Sequence, residues 1–128
     1  MSLLPPFLKP HFLAPKRVAD PSRASHRGES ENQACGDRLE LGLWVQGGRV
    51  ERACFRARGC SAVIACASWV CDRLEGQSLE QLEKLDVGAL LAEAGGLPAT
   101  GAHAARVVER SLRGALASQG ASPIHPRT

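Results

Sequence analysis

Two alternating runs joined by a glycine pair constrain this chain more than any other feature. Leu39, Leu41, Leu43 and Val45 recur at period two, as a half-buried β-strand requires. Gln46-Gly47-Gly48 follows, and adjacent glycines supply the positive φ angles of a tight hairpin turn. The next run alternates as well, with Ala53, Phe55 and Ala57 on one side and Arg52, Arg56 and Arg58 on the other. A hairpin returns its second end to its first. Ala34-Cys35-Gly36-Asp37 at one end and Gly59-Cys60 at the other are therefore expected to meet, although 25 positions separate the two cysteines. Two thiols and a carboxylate at one end of a hairpin form a donor set for a metal.

The flanks read mainly as helix. Ser61 to Glu75 is apolar almost all round and predicts a buried helix, with Cys60 or Ser61 in the N-cap region and Gly76 just past its end. Ser78-Leu79-Glu80-Gln81 is a capping-box pattern opening a short helix to Leu85. Asp86 caps another short helix through Ala94, which Gly95-Gly96 ends. A last helix is expected from about Ala102 to Ala117, with Val108, Leu112, Ala115 and Leu116 as its apolar stripe and Arg106, Glu109, Arg110 and Arg113 mostly solvated. At the other end of the chain, Leu3, Leu4, Phe7, Leu8, Phe12 and Leu13 have roughly helical spacing, but Pro5, Pro6, Pro10 and Pro15 interrupt it. A short helix or an arm docking by its apolar residues is expected there, with Pro10 kinking or ending the helix. Residues 17–27 read as a basic loop, and 25–30 as a short edge strand. The resulting division is an N-terminal arm or short helix (1–33), a core (34–118) and a frayed tail (119–128).

Composition narrows the classes of function. The 128 residues suffice for one domain. They are 44% hydrophobic but only 4% aromatic, with no tyrosine, so the core is built from Leu, Val and Ala. The net charge of +3 is a mild excess without aromatic interleaving, which argues against a nucleic-acid surface. The longest apolar run, Ala62 to Ala67, is too short to span a bilayer, and the N-terminus lacks the order of a signal peptide. Leu97-Pro98-Ala99-Thr100-Gly101 matches the cell-wall sorting pentapeptide, but no apolar tail or basic stop follows, so the match reads as coincidence. Five cysteines at irregular spacing fit a reduced, cytoplasmic protein with some thiols as ligands better than a disulfide scaffold.

His103 opens the last helix and Cys60 the buried one. If both helices fold back on one sheet face, their starts lie near the open end of the hairpin. That assembles Cys35, Asp37, Cys60 and His103, with Cys60 at a helix N-terminus that favours a thiolate.

The pattern resembles the NifU/IscU-like iron–sulfur cluster scaffolds. The resemblance rests on Ala34-Cys35-Gly36-Asp37, Phe55, Gly59-Cys60, Ala65 and Ser68, on Leu97-Pro98 preceding His103, and on His11-Phe12 with Pro15-Lys16. It covers roughly residues 11 to 117. It implies a small α+β domain, a three-stranded antiparallel sheet with helices packed on one face. It also implies a scaffold on which a [2Fe–2S] cluster is built and passed to recipient apo-proteins, with sulfur from a cysteine desulfurase and zinc as an alternative occupant. By position, the implied ligands are Cys35, Asp37, Cys60 and His103, with the aspartate keeping the cluster labile.

One position departs from the family pattern. The family's third cysteine follows the histidine directly, and Ala104 stands there in this chain. Four donors remain, enough for tetrahedral zinc, but only two are thiolates, although histidine can substitute on one iron. The residues after Leu97-Pro98 also lack the character of the family's chaperone-binding motif. Three functions follow as expectations: a cluster scaffold or carrier, a zinc-dependent sulfur acceptor with Cys35 as the accepting thiol, and a relative that only binds a partner. Each candidate has a plainer reading. Cys35 and Cys60 are otherwise a pair of structural thiols, Asp37 a strand or turn residue, and His103 a helix-start histidine bonded locally. Cys66 and Cys71 read as small hydrophobes, Cys54 as a partly exposed thiol, and His11, His26 and His125 as solvated.

Overall fold

The computed structural model describes residues 4–34 and 36–118. Three antiparallel strands form one sheet in the order β1-β2-β3: β1 is His26–Asn32, β2 is Asp37–Gln46 and β3 is Arg49–Arg58. The helices are α1 Lys9–Leu13, α2 Ser61–Leu74, α3 Leu79–Glu83, α4 Val87–Ala94 and α5 His103–Ala117, with single 3₁₀ turns at 21–23 and 99–101. α2 packs on β3, and α5 packs on β1 and β2. This is the α+β arrangement that the periodicities and the resemblance imply.

The hairpin forms as its alternation requires. Leu39, Leu41 and Leu43 are buried beneath the helices, and Ala53 and Phe55 join them from β3. Gly47 and Gly48 turn the chain at φ 61° and 77°. The alternation slips once, at a bulge between Trp44 and Val45, which leaves Val45 only partly buried. α2 is buried on most of its surface, from Ala62 to Leu74. Among the described residues no helix is long and apolar enough to cross a membrane.

Several expectations are corrected by contacts that local patterning does not carry. Pro10 neither kinks nor ends α1. It occupies the first turn, where a missing N–H costs no helical bond. The arm docks by Leu4 and Leu8, which are buried, and by Phe7, whose ring meets Trp69 edge-on at 5.3 Å. Phe12 and Leu13 stay exposed. The stretch read as a loop then seals the sheet. Arg17 and Ala19 exchange backbone hydrogen bonds with Phe55 along the free edge of β3, and the Glu75 carboxylate accepts from the Ala53 N–H. An open strand edge is thereby closed. Pro21 and Ala24 settle over Gly42, the cross-strand partner of Cys54. Cys54 is therefore buried rather than partly exposed, and burial pushes its thiol up. The edge strand read at 25–30 is present as β1, at the edge of the sheet, with its bounds shifted to His26–Asn32.

The histidines are corrected too. His11 is not solvated, because its Nδ1 lies 2.7 Å from the Ser68 hydroxyl. The same hydroxyl accepts from the Lys16 N–H at 2.8 Å. His26 is buried in β1. His125 and the tail expected over 119–128 lie outside the described residues. On α5, Glu109 and Arg113 are not merely solvated. Glu109 accepts the Val87 N–H, and Arg113 donates to the carbonyls of Leu82, Glu83 and Leu85 at the end of α3.

α5 lies unusually close to β1. A Cβ on Gly28 would stand 2.1 Å from the Ser111 carbonyl oxygen and 2.4 Å from the Ala115 nitrogen, and beside this contact Ser30 donates to the Val107 carbonyl. Gly28→Ala is expected to destabilise the protein by about 2 kcal/mol or more, since backbone on both sides resists displacement; urea unfolding measures it. A second prediction concerns pH. Burial lowers the pKa of both His11 and His26 below the ordinary value of 6.5, with Lys16 adding to the effect at His11. The fold therefore prefers both rings neutral, and the unfolded chain binds more protons below that value. Their contribution is full above about pH 6.5 and is lost as pH falls toward the depressed values. The melting temperature is expected to drop between about pH 7.5 and about pH 5.5, with a shallower slope in His11→Gln; an equal slope in the variant would contradict this assignment.

Candidate metal centre

The two helix starts and the strand start converge at one end of the sheet. Asp37 is the first residue of β2, Cys60 is the N-cap of α2, and His103 is the first residue of α5. The pairing of Arg38 with Arg58 holds the hairpin ends together, so residue 37 faces the 59–60 turn. The Cys60 N–H donates to Asp37 Oδ1 at 2.9 Å. His103 Nε2 lies 2.9 Å from Asp37 Oδ2. Cys60 Sγ is 3.4 Å from His103 Nε2 and 3.9 Å from Asp37 Oδ2.

Asp37 is buried, whereas Cys60 and His103 are half-buried. A buried carboxylate without partners is costly, and here one oxygen is held by a backbone amide while the other faces the two remaining donors. Gly59 makes this possible. It has φ 150°, and a Cβ there would stand 2.2 Å from Asp37 Oδ1.

The donor set suits a metal. One donor atom from each residue lies within 4.8 Å of the others. Tetrahedral coordination with ordinary zinc bond lengths places sulfur, nitrogen and oxygen donors about 3.3–3.6 Å apart. The three observed separations, 2.9, 3.4 and 3.9 Å, bracket that range, so side-chain adjustments of a few tenths of an ångström suffice.

Of the four candidate ligands read from the sequence, three are brought together. Cys35, the fourth and the candidate sulfur acceptor, lies outside the described residues. Ala104 is fully buried in the core one residue after His103. Cys66 and Cys71 are buried in α2. Burial, with Cys60 adding to it, pushes the Cys66 thiol up to about 12, and burial pushes Cys71 well above its ordinary value. Both remain protonated and act as small hydrophobes. The sequence reading did not assign Gly59 a supporting role or connect His11 to Ser68. Gly59 directly precedes Cys60, and His11 and Ser68 both carried the resemblance, so those signals were present.

Residues 8–122 match the NifU-like N-terminal domain. The chain belongs to this family. Among its relatives, the bifunctional protein NifU/MnmA of Rubrobacter xylanophilus is 32% identical over 108 residues, which cover 83% of this chain and 22% of that protein. The iron–sulfur cluster assembly scaffold protein IscU of Buchnera aphidicola is 32% identical over 84 residues, 65% of each chain. The match thus spans less than two thirds of the length of these relatives. In fold, the chain is similar to a solved structure from Fervidobacterium islandicum assigned to iron–sulfur cluster assembly in the SUF system. That likeness has a TM-score of 0.71 at 15% identity and covers 88% of this chain and 95% of that one.

Family membership leaves the Gly59 contact as a property of this chain's own geometry. Gly59→Ala is expected to break the Asp37–Cys60 bond and destabilise the fold by about 2 kcal/mol, from steric overlap and a desolvated carboxylate left short of a donor. Chemical denaturation measures the loss, and a value within error of wild type would contradict the tight fit at residue 59.

Proposed function

We propose that this protein is an iron–sulfur cluster assembly scaffold or carrier, in which Asp37, Cys60 and His103, with Cys35, hold a labile [2Fe–2S] cluster or zinc. The observation that carries the reading is the convergence of a carboxylate, a thiol and an imidazole at tetrahedral spacing. Family membership and relatives named as scaffold proteins support it. In this reading the metal or cluster is cargo. A cysteine desulfurase supplies sulfur and recipient apo-proteins accept the cluster. The free thiols among the described residues suit a reducing, cytoplasmic setting.

Each residue has a role in that reading. Cys60 supplies a thiolate at the N-terminus of α2, where the helix dipole favours negative charge. Asp37 offers one oxygen, since the Cys60 amide engages the other. Carboxylate oxygen is a harder donor than thiolate, which suits release. His103 supplies nitrogen in the position from which family members continue with a third cysteine.

A second reading is favoured by Ala104, which leaves a cluster short of thiolates. In it, zinc occupies the site and Cys35 accepts sulfur. The Cys35 thiolate forms an S–S bond to the outer sulfur of a donor persulfide while the donor's own S–S bond breaks. The donor leaves as a thiolate, and no net oxidation occurs.

One experiment separates these readings: metal and acid-labile sulfide analysis with an absorption spectrum on protein purified without oxygen, beside Cys60→Ala. Iron with matching sulfide supports the scaffold, and about one zinc per chain supports the sulfur-acceptor role. In either case the variant is expected to lose most of the metal. Metal retained fully in Cys60→Ala would overturn the assignment of the site.

A further inference from the structure

Two small residues meet between the helix starts that carry Cys60 and His103. Ala62 follows Cys60 by two positions, and Gly101 precedes His103 by two. Both are buried. A Cβ added to Gly101 would stand 3.2 Å from the Ala62 Cβ and 3.9 Å from Pro98 Cγ. Carbon atoms in good contact lie about 3.5–4.0 Å apart, so the space is a few tenths of an ångström too small for a methyl group. The backbone does not ask for glycine here, because Gly101 is not among the glycines with positive φ. Closeness alone excludes a side chain.

Neither neighbour yields easily. Alanine has no rotamer to change, and Ala62 lies in the first turn of α2, which is buried on most of its surface. Opposite it is the 3₁₀ turn at 99–101, closed by the Gly101 N–H donating to the Pro98 carbonyl at 2.9 Å. That turn runs through Ala102 directly into α5. A displacement at residue 101 is therefore passed to His103.

We propose that Gly101 is a positioning residue for the metal centre: its missing side chain lets α5 begin against the first turn of α2, and this close approach holds the His103 imidazole within reach of Cys60 and Asp37. The proposal rests on the metal-binding reading above. Designed and natural sites hold their donors to within about 0.5 Å. The Cys60 Sγ–His103 Nε2 separation of 3.4 Å already falls inside the tetrahedral spacing, so an outward shift carries it beyond. Asp37 is tied to Cys60 by its own bond. A shift at residue 101 thus parts His103 from two donors that stay together.

The test compares wild type, Gly101→Ala, Ala62→Gly and the double variant, each as the full chain, with two readouts. In metal-free protein the nuclear Overhauser contact between the Cys60 β-protons and the His103 ring is recorded. Cobalt(II) is then titrated as the probe and followed by visible absorption. Gly101→Ala is expected to weaken the Overhauser contact and to reduce cobalt affinity about tenfold or more. Adding Ala62→Gly should restore most of both, as coupling between contacting residues requires. A general loss of stability would not be repaired this way, since Ala62→Gly itself removes a buried methyl and weakens a helix. Gly101→Val should exceed Gly101→Ala in both readouts, and that gradient decides if the double variant does not fold. Both readouts unchanged in Gly101→Ala, a folded double variant without restoration, or no gradient would overturn the proposal. Cobalt bound equally by wild type and Cys60→Ala would instead overturn the metal reading, and the Overhauser contact would still decide whether Gly101 positions His103.

Discussion

A buried carboxylate with one oxygen committed to a backbone amide is the constraint around which the rest of this molecule is arranged. Asp37 receives the Cys60 N–H at 2.9 Å, and that bond ties the start of β2 to the start of α2. Desolvating a carboxylate is expensive, so the fold supplies a fixed donor on one side and His103 on the other. The bond forms only because residue 59 has no side chain. The same contact that fixes the hairpin's open end also presents Asp37 Oδ2, Cys60 Sγ and His103 Nε2 to one point.

The helices hold that point still. α2 is buried on most of its surface and cannot slide without disturbing its packing on β3 and α5. The N-terminal segment straps it from outside through the His11–Ser68 pair, through Arg17 to Asp72 and Glu75, and through Phe7 on Trp69. Exposed ion pairs contribute little individually, so most of the strap's hold comes from buried Leu4 and Leu8. α5 is fixed against β1 by the close approach at Gly28 and by Ser30 and Ser111, whose hydroxyls lie 2.8 Å apart. Rigid elements thus carry all three described donors, leaving loops out of their positioning.

Much of this was legible in the sequence because it rests on periodicity. Period-two leucines, a glycine pair and an apolar helix beginning at a cysteine predict the hairpin and α2 directly. The meeting of Asp37 with Cys60 follows from hairpin closure. His103 was legible through the family resemblance and the assumption that both helices return to one face. The rest depended on contacts between distant segments. Cys54 alternates with exposed arginines and reads as exposed until Pro21 lands on Gly42. His11 and His26 sit in stretches without periodicity, so nothing local signals their burial. Glu109 and Arg113 read as surface charges because their partners are the backbone ends of α3 and α4, which a helical wheel does not show.

The measurement closest to the central claim is X-ray absorption at the zinc edge on the zinc-loaded protein, with Cys60→Ala beside it. The account predicts a tetrahedral first shell with sulfur at about 2.3 Å and nitrogen or oxygen at about 2.0–2.1 Å, and a loss of sulfur scattering in the variant. A shell of nitrogen and oxygen alone, unchanged by removal of Cys60, would show that the metal sits elsewhere and that this convergence of donors is structural.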